Sequence, residues 1–467
     1  MTDQHLIDKE EGISKEEPLL VLPIPGLLIK TALPVIIGLL ISGIHNFVDA
    51  IFISRAVGVH GIGGVTAVFP LQLLIVSISA MLGAGMASIV SRHLGAKQQI
   101  EASKVFSSSL LFAVILGALL TIVLLVGRDV IFHLLQFPEQ LVPYAKEYYG
   151  PVLGMSVLVF VLTMLTDGFR AEGKMQQVML IMMVSSMSNI GLDALFLFVF
   201  GWGVTGAAWA TVLAVSISLA LAINILRSRD HQIKVSLPDL KLNRELQLKT
   251  MLVGLPVLLS YAGTAFTIAV VNYFLAKLSA SNADLLISAN GILQRTFMLL
   301  LFPILGLMIA FQTLAGYNFG ARQYERLTTA LTSAVVISTI YCVLCASLMI
   351  FTPQIMLSLF TSDAALLSAA SEISSVIFIG FIAAGAVMMS VGVFQSMGKV
   401  GQAIVFNALH GFILLIPGLL IFTNIWGVEG VWWTFPIIEF TAFLVIITYT
   451  FFYFKTILLE KNEFTHS

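Results

Sequence analysis

Four ionisable side chains stand inside long, otherwise apolar stretches of the chain: Asp49, Asp193, Arg295 and Glu439. A charge at bilayer depth costs about 2.5–3.5 kcal/mol even on lenient scales, so each must face protein interior or water. Asn189 precedes Asp193 by four residues, and His45 precedes Asp49 by four, so each pair projects from one helical face. With a rise of ~1.5 Å per residue, Asp49 falls about 6 Å below the outer end of its span and Asp193 about 12 Å. Thr211, entering the next span from outside, comes to about 10 Å on the same rise. Two acids with amide and hydroxyl oxygens around them could hold a hard cation such as Na⁺. They could equally share a proton, because two close carboxylates in low dielectric resist ionising together. The plainer reading makes Asp49 an interfacial residue and Asp193 a hydrogen-bonded structural acid. It is weaker for Asp193, which is deeper and has Asn189 beside it.

Arg295 and Glu439 both lie about 15 Å deep on this estimate, which permits a buried ion pair. The alternative makes Glu439 a ligand-binding carboxylate that Arg295 tunes. Asn272 stands near the place where an internal repeat puts the counterpart of Asp49, so the acidic site is predicted on one half only. His410, alone near mid-membrane, reads as a packing residue before a proton relay. Cys342 and Cys345, spaced C-x-x-C inside an apolar run, read as small packing residues before a redox pair.

The elements that must position these residues follow from composition. The 467 residues are 58% hydrophobic and only 10% charged. Mean hydropathy is +0.99. A soluble domain runs nearer 45–50% apolar and about 25% charged, so a water-soluble enzyme or a disordered chain is excluded. A net charge of −1 gives no electrostatic basis for binding nucleic acid. Twelve runs reach the roughly 20 residues needed to cross a bilayer, among them 31–53 and 148–166. The predicted fold is an all-α integral membrane protein. It has an N-terminal tail (1–30), a first lobe of six spans (31–226), a linker (227–249), a second lobe of six spans (250–454) and a C-terminal tail (455–467). The acid-rich start, with Asp8, Glu10, Glu11, Glu16 and Glu17, lacks the basic region of a signal peptide. With the N-terminus inside, 19 Lys and Arg fall in inner segments and four in outer loops. That asymmetry predicts a multi-pass protein of the cell's inner (plasma) membrane with both termini cytoplasmic.

The two lobes repeat. Leu33-Pro34 matches Leu255-Pro256, Leu94-Gly95-Ala96-Lys97 matches Phe319-Gly320-Ala321-Arg322, and Gly173-Lys174 matches Gly398-Lys399. Trp202-Gly203-Val204-Thr205-Gly206 matches Trp426-Gly427-Val428-Glu429-Gly430, and the offsets stay between 222 and 225. Six spans per half give both halves the same orientation, related by a pseudo-two-fold along the membrane normal. Such halves around a central cavity are an architecture of alternating-access transporters. No G-x-x-x-x-G-K-[ST] motif is present, so neither a nucleotide nor another cofactor is expected, and an ion gradient must supply the energy. The 33 Phe and 18 Met fit an adaptable cavity for amphipathic cargo.

Together, Pro34 to Val48-Asp49, Leu94-Gly95-Ala96, Gly173-Lys174, Asn189-x-x-x-Asp193 and Trp202-Gly203-Val204-x-Gly206-Ala207-Ala208-Trp209 resemble the MATE family of multidrug and toxic compound extrusion transporters. The similarity runs from about residue 25 to 455 and is greatest to its bacterial multidrug and DNA-damage-inducible branches. It implies twelve helices in two lobes forming a V, and export of organic cations and other drugs in exchange for H⁺ or Na⁺. It also implies a cation site at Asp49, Asn189, Asp193 and Thr211, with Na⁺ as a possible occupant. Glu439 is the acid available in the second lobe, where some family members keep their key acids. The complete cavity needs one chain, so a monomer in membrane lipid with a small-molecule substrate is expected. Two rivals weigh less. A lipid-linked saccharide flippase should offer several basic residues to phosphate, and only Arg295 is available. A membrane enzyme should cluster its histidines, and here they are scattered.

Overall fold

A chain in lipid has no water to satisfy its backbone, so spanning segments must close their own hydrogen bonds as helices. The computed structural model describes residues 18–134, 139–228, 230–235, 237–278 and 282–465, and all the spans among them are helical. The acidic residues 8–17, Arg229 and the side chain of His410 lie outside the described residues.

The first half comprises α1 (Ile24–Gly58), α2 (His60–Gly95), α3 (Gln99–Val126), the bent α4 (Val142–Gly154 and Ser156–Ala171), α5 (Met175–Val199) and α6 (Gly203–Leu226). The second comprises α7 (Arg244–Leu278), α8 (Ala283–Gly320), α9 (Tyr324–Phe351), α10 (Ala364–Ser396), α11 (Val400–Trp426) and α12 (Val428–Leu459). Counting α4 as one span gives the twelve that the hydropathy predicts. Gly58, at φ 78°, separates α1 from α2 without an intervening loop. The 45° bend of α4 follows Pro151, which lacks the N–H that would continue the helix.

The repeat is visible in how helices end. α2, α4, α8 and α10 each close with paired backbone bonds of the Schellman type, for instance Lys97 N to Leu94 O and Gln98 N to His93 O. The left-handed residues of these four caps are Lys97, Gly173, Arg322 and Gly398, two equivalent pairs at an offset of 225. The pseudo-two-fold passes between α2 and α8, where the equivalent residues Ser91 and Gly316 meet each other. Gly95 lies on the backbone of Tyr317, and its mate Gly320 lies on the backbone of Arg92. A second close approach joins α2 to α7 through Gly85 and Gly254. A Cβ at Gly85, Gly95, Gly254 or Gly320 would strike main chain, so their absent side chains set the helix separation.

One boundary differs from the hydropathy reading in a way that bears on charge. The apolar run of span 4 stops at 166, but the helix continues to Ala171 and keeps Asp167 and Arg170 inside it. They pair at 3.1 Å, with side chains only 17% and 11% exposed. The run stops early because the hydropathy falls, whereas the helix ends only at the Gly173 cap. The helical spans therefore carry this buried pair in addition to the four charges singled out from sequence.

Candidate cation site

The first half gathers its polar side chains between α1, α4, α5 and α6. Asn189 and Asp193, one turn apart on α5, are 2% and 0% exposed. The hydrogen-bond network sets the Asn189 amide. Its nitrogen donates to His45 Nε2 at 2.6 Å and to Asp193 Oδ2 at 2.8 Å. The other end of the amide faces Thr211, 3.4 Å from Oγ1. Thr211 is held in turn by its own bond to Ala207 O at 3.0 Å. Asp49, one turn above His45 on α1, meets Asp193 directly, carboxyl to carboxyl. All four residues read as one site from the sequence thus converge.

Two features give this cluster its chemistry. Asp49 Oδ1 and Asp193 Oδ1 are fully buried atoms that no donor reaches. Orphaned anionic oxygens in a dry site must be compensated by a cation or a proton. Moreover, Ile53, Leu197 and Ala207 pack together as a separate apolar cluster. Each lies four residues from a site residue, on the same helix and toward the same end: Ile53 from Asp49, Leu197 from Asp193 and Ala207 from Thr211. One helical turn therefore separates a polar layer from an apolar cap, with Phe52 stacked edge-on against Phe198 at 5.3 Å beside it. Among the described residues no group of three or more His, Cys, Asp or Glu is arranged for a metal ion. The oxygen-rich donor set with two acids suits a proton or a hard monovalent cation instead.

A family model described as MatE matches residues 34–195 and again 256–420, one copy per half. The chain belongs to the MatE family. Members are transporters, so a membrane enzyme is not the answer. The chain is similar to the multidrug export protein MepA of Staphylococcus aureus (strain NCTC 8325 / PS 47), 27% identical over 89% of this chain and 91% of that one. It is likewise similar to MepA of Staphylococcus saprophyticus, 26% identical over 92% and 94%. Among solved structures, it superposes with a TM-score of 0.88 and 26% identity on a multidrug resistance MATE family transporter in an outward-facing conformation, covering 95% of this chain and 99% of that one.

Within this MatE chain, sequence reasoning left two neighbours out of the site. Tyr148, on α4 and 4% exposed, places its hydroxyl in hydrogen bond with Thr211 and within the field of both acids. His45 shares the Asn189 amide with Asp193. The four-residue step from His45 to Asp49 was a usable signal. Tyr148 had none, because nothing in its local pattern distinguishes it from Tyr149, whose hydroxyl donates to Leu124 O at 2.6 Å. The remaining candidates sit in the second half. Asn272, on α7, accepts from Asn290 Nδ2 at 3.3 Å. Glu439, on α12, is half-buried and rests its Cγ against α10 at Gly380, while Arg295 is exposed on α8.

Proposed function

We propose that the protein is a cation-coupled antiporter that exports small amphipathic, mainly cationic compounds by alternating access, driven by H⁺ or Na⁺. The observation that carries this reading is the buried Asp49–Asp193 pair with uncompensated oxygens beneath an apolar cap. Such a site binds a cation well only when its surroundings let one in, which couples occupancy to conformation. The names of the multidrug export relatives support the cargo class. The excess of Lys and Arg at one end supports placing both termini and the linker in the cytoplasm.

In the cycle, a cation entering from outside neutralises Asp49 and Asp193 and removes their repulsion. α1 carries Asp49 and contains Pro34, a point of weakness in its hydrogen-bond ladder, so it changes course relative to α5. Cargo leaves outward, the halves rock, and new cargo displaces the cation inside. Glu439, Arg295 and Asn272 form a secondary region that contacts cargo. The protein works as a monomer.

Dye accumulation in inverted membrane vesicles, measured under a pure H⁺ gradient and a pure Na⁺ gradient, tests this. Uptake under one gradient and its loss in Asp49→Asn and Asp193→Asn are expected. Uptake retained at full rate in both variants would sink the site assignment, and no uptake under either gradient would sink the antiporter.

A further inference from the structure

The two halves are joined at their terminal end by hydrogen bonds that obey the repeat. Ser88 Oγ, on α2, donates to Gln395 O, on α10, at 2.8 Å. Thr313 Oγ1, on α8, donates to Arg170 O, on α4, at 3.1 Å. Ser88 and Thr313 are equivalent at an offset of 225, and so are Arg170 and Gln395. Each bond therefore runs from one half to the other, and the pseudo-two-fold turns one into its partner. Both acceptors belong to the last helical turn, where carbonyls lack an intrahelical donor. Arg170 O and Gln395 O each take a cap N–H, from Gly173 at 2.9 Å and Gly398 at 3.0 Å, and keep a second lone pair for the hydroxyl. Ser88 and Thr313 are themselves only 9% and 5% exposed.

Two further contacts join the halves at this end. The equivalent glycines Gly95 and Gly320 bring α2 and α8 into backbone contact. Arg92, on α2, donates from Nη1 to Met397 O at 3.0 Å, across to the end of α10.

We propose that Ser88 and Thr313 are a matched pair of latches that hold the cytoplasmic side closed, and that both must release before cargo can enter from the cytoplasm. This rests on the alternating-access reading given above. Two bonds related by the pseudo-two-fold break together when the halves rock about that axis, so neither half can open alone. Hydroxyl-to-carbonyl bonds suit the task. Each is strong enough to bias a conformational equilibrium and weak enough to be broken in every cycle.

The test uses full-length protein in lipid nanodiscs with Cys342 and Cys345 replaced by Ala. Spin labels at Ile100→Cys and Lys399→Cys, both exposed and on opposite halves, report the separation by pulsed dipolar spectroscopy. Ser88→Ala and Thr313→Val should each raise the ratio of long to short distances about fivefold, and the double variant about 25-fold, as expected for one hydrogen bond apiece. The exchange variant Ser88→Thr with Thr313→Ser keeps both hydroxyls and should retain the wild-type distribution. A double variant indistinguishable from wild type would overturn the latch, as would an exchange variant displaced as far as the deletions. Dye transport by the wild type is measured alongside. Its absence would count against the antiporter, whereas transport with unmoved distances counts against the latch alone.

Discussion

At the scale of single residues, the cluster is built so that each polar group has one task. Asn189 spends both amide hydrogens, one on His45 and one on Asp193, which fixes Asp193 Oδ2 and leaves Oδ1 without a donor. Replacing His45 with Leu removes the acceptor for a buried N–H, and a donor left so costs about 1–3 kcal/mol. A fall of several degrees in thermal unfolding is expected, measured by loss of monodisperse protein after heating, while His45→Gln should recover most of it. Tyr148→Phe removes the hydroxyl that steadies Thr211 and nothing else. If the site couples transport to a cation as proposed above, the apparent affinity for that cation should weaken roughly fivefold, about the worth of one hydrogen bond, with little change in maximal rate. An unchanged half-saturating concentration would show that Tyr148 only fills space.

The elements explain which parts of this were legible beforehand. Asn189 and Asp193 could be joined because one helix turn relates them, and Thr211 because α5 and α6 form a tight antiparallel pair through the Trp202-Gly203 turn. Asp49 could be added only by depth. Contacts that depend on helix rotation about its own axis, such as His45 to Asn189 or Tyr148 to Thr211, are invisible to a pattern in which every face is apolar. The same limitation hid the apolar cap, since Ile53, Leu197 and Ala207 look like any other membrane residues. The apolar run of span 4 stops short of the end of α4 because hydropathy marks where lipid ends, and a helix stops where its cap is.

Glycines give the element scale its sharpest test. Gly254 sits against the Met81 carbonyl and the Gly85 nitrogen, so Gly254→Val forces α7 away from α2. Overpacking of this kind typically costs 1–3 kcal/mol and occasionally more. A marked loss of folded protein on size-exclusion chromatography is expected. Gly291, on α8, has open space around it. Gly291→Ala should be neutral or stabilising by up to about 1 kcal/mol, through helix propensity alone. Equal behaviour of the two substitutions would refute the backbone contact between α2 and α7.

At the scale of the whole molecule, the alternating access proposed above requires that two halves joined by a covalent linker be able to rock. Between α6 and α7, the linker is hydrogen-bonded to α3 and to the residues just past α4, all in the first half. Glu172, buried just past α4, accepts from His231 Nδ1 at 2.5 Å and from Ile233 N at 2.6 Å, and pairs with Lys174 at 3.3 Å. Further along, Lys234 N donates to Ser103 Oγ at 3.1 Å, and Ser108 Oγ donates to Lys241 O at 2.7 Å, both on α3. The position equivalent to Glu172 in the second half is Met397, whose carbonyl takes Arg92 from across the interface. One repeat position thus anchors the linker in the first half and receives an interlobe bond in the second. In the proposed cycle, a linker held in this way would move with the first half. Glu172→Ala strips a buried N–H and an imidazole of their acceptor, at about 1–3 kcal/mol for each orphaned group. Since those groups lie in the linker, the expected consequence is local release: trypsin should cut after Lys234 and Lys241 much faster than in the wild type. The spans should lose little thermal stability, because the linker's hold on them near Glu172 is the packing of His231 on Phe169 and of Ile233 on the core. Unaltered cleavage rates would mean that the α3 contacts hold the linker unaided.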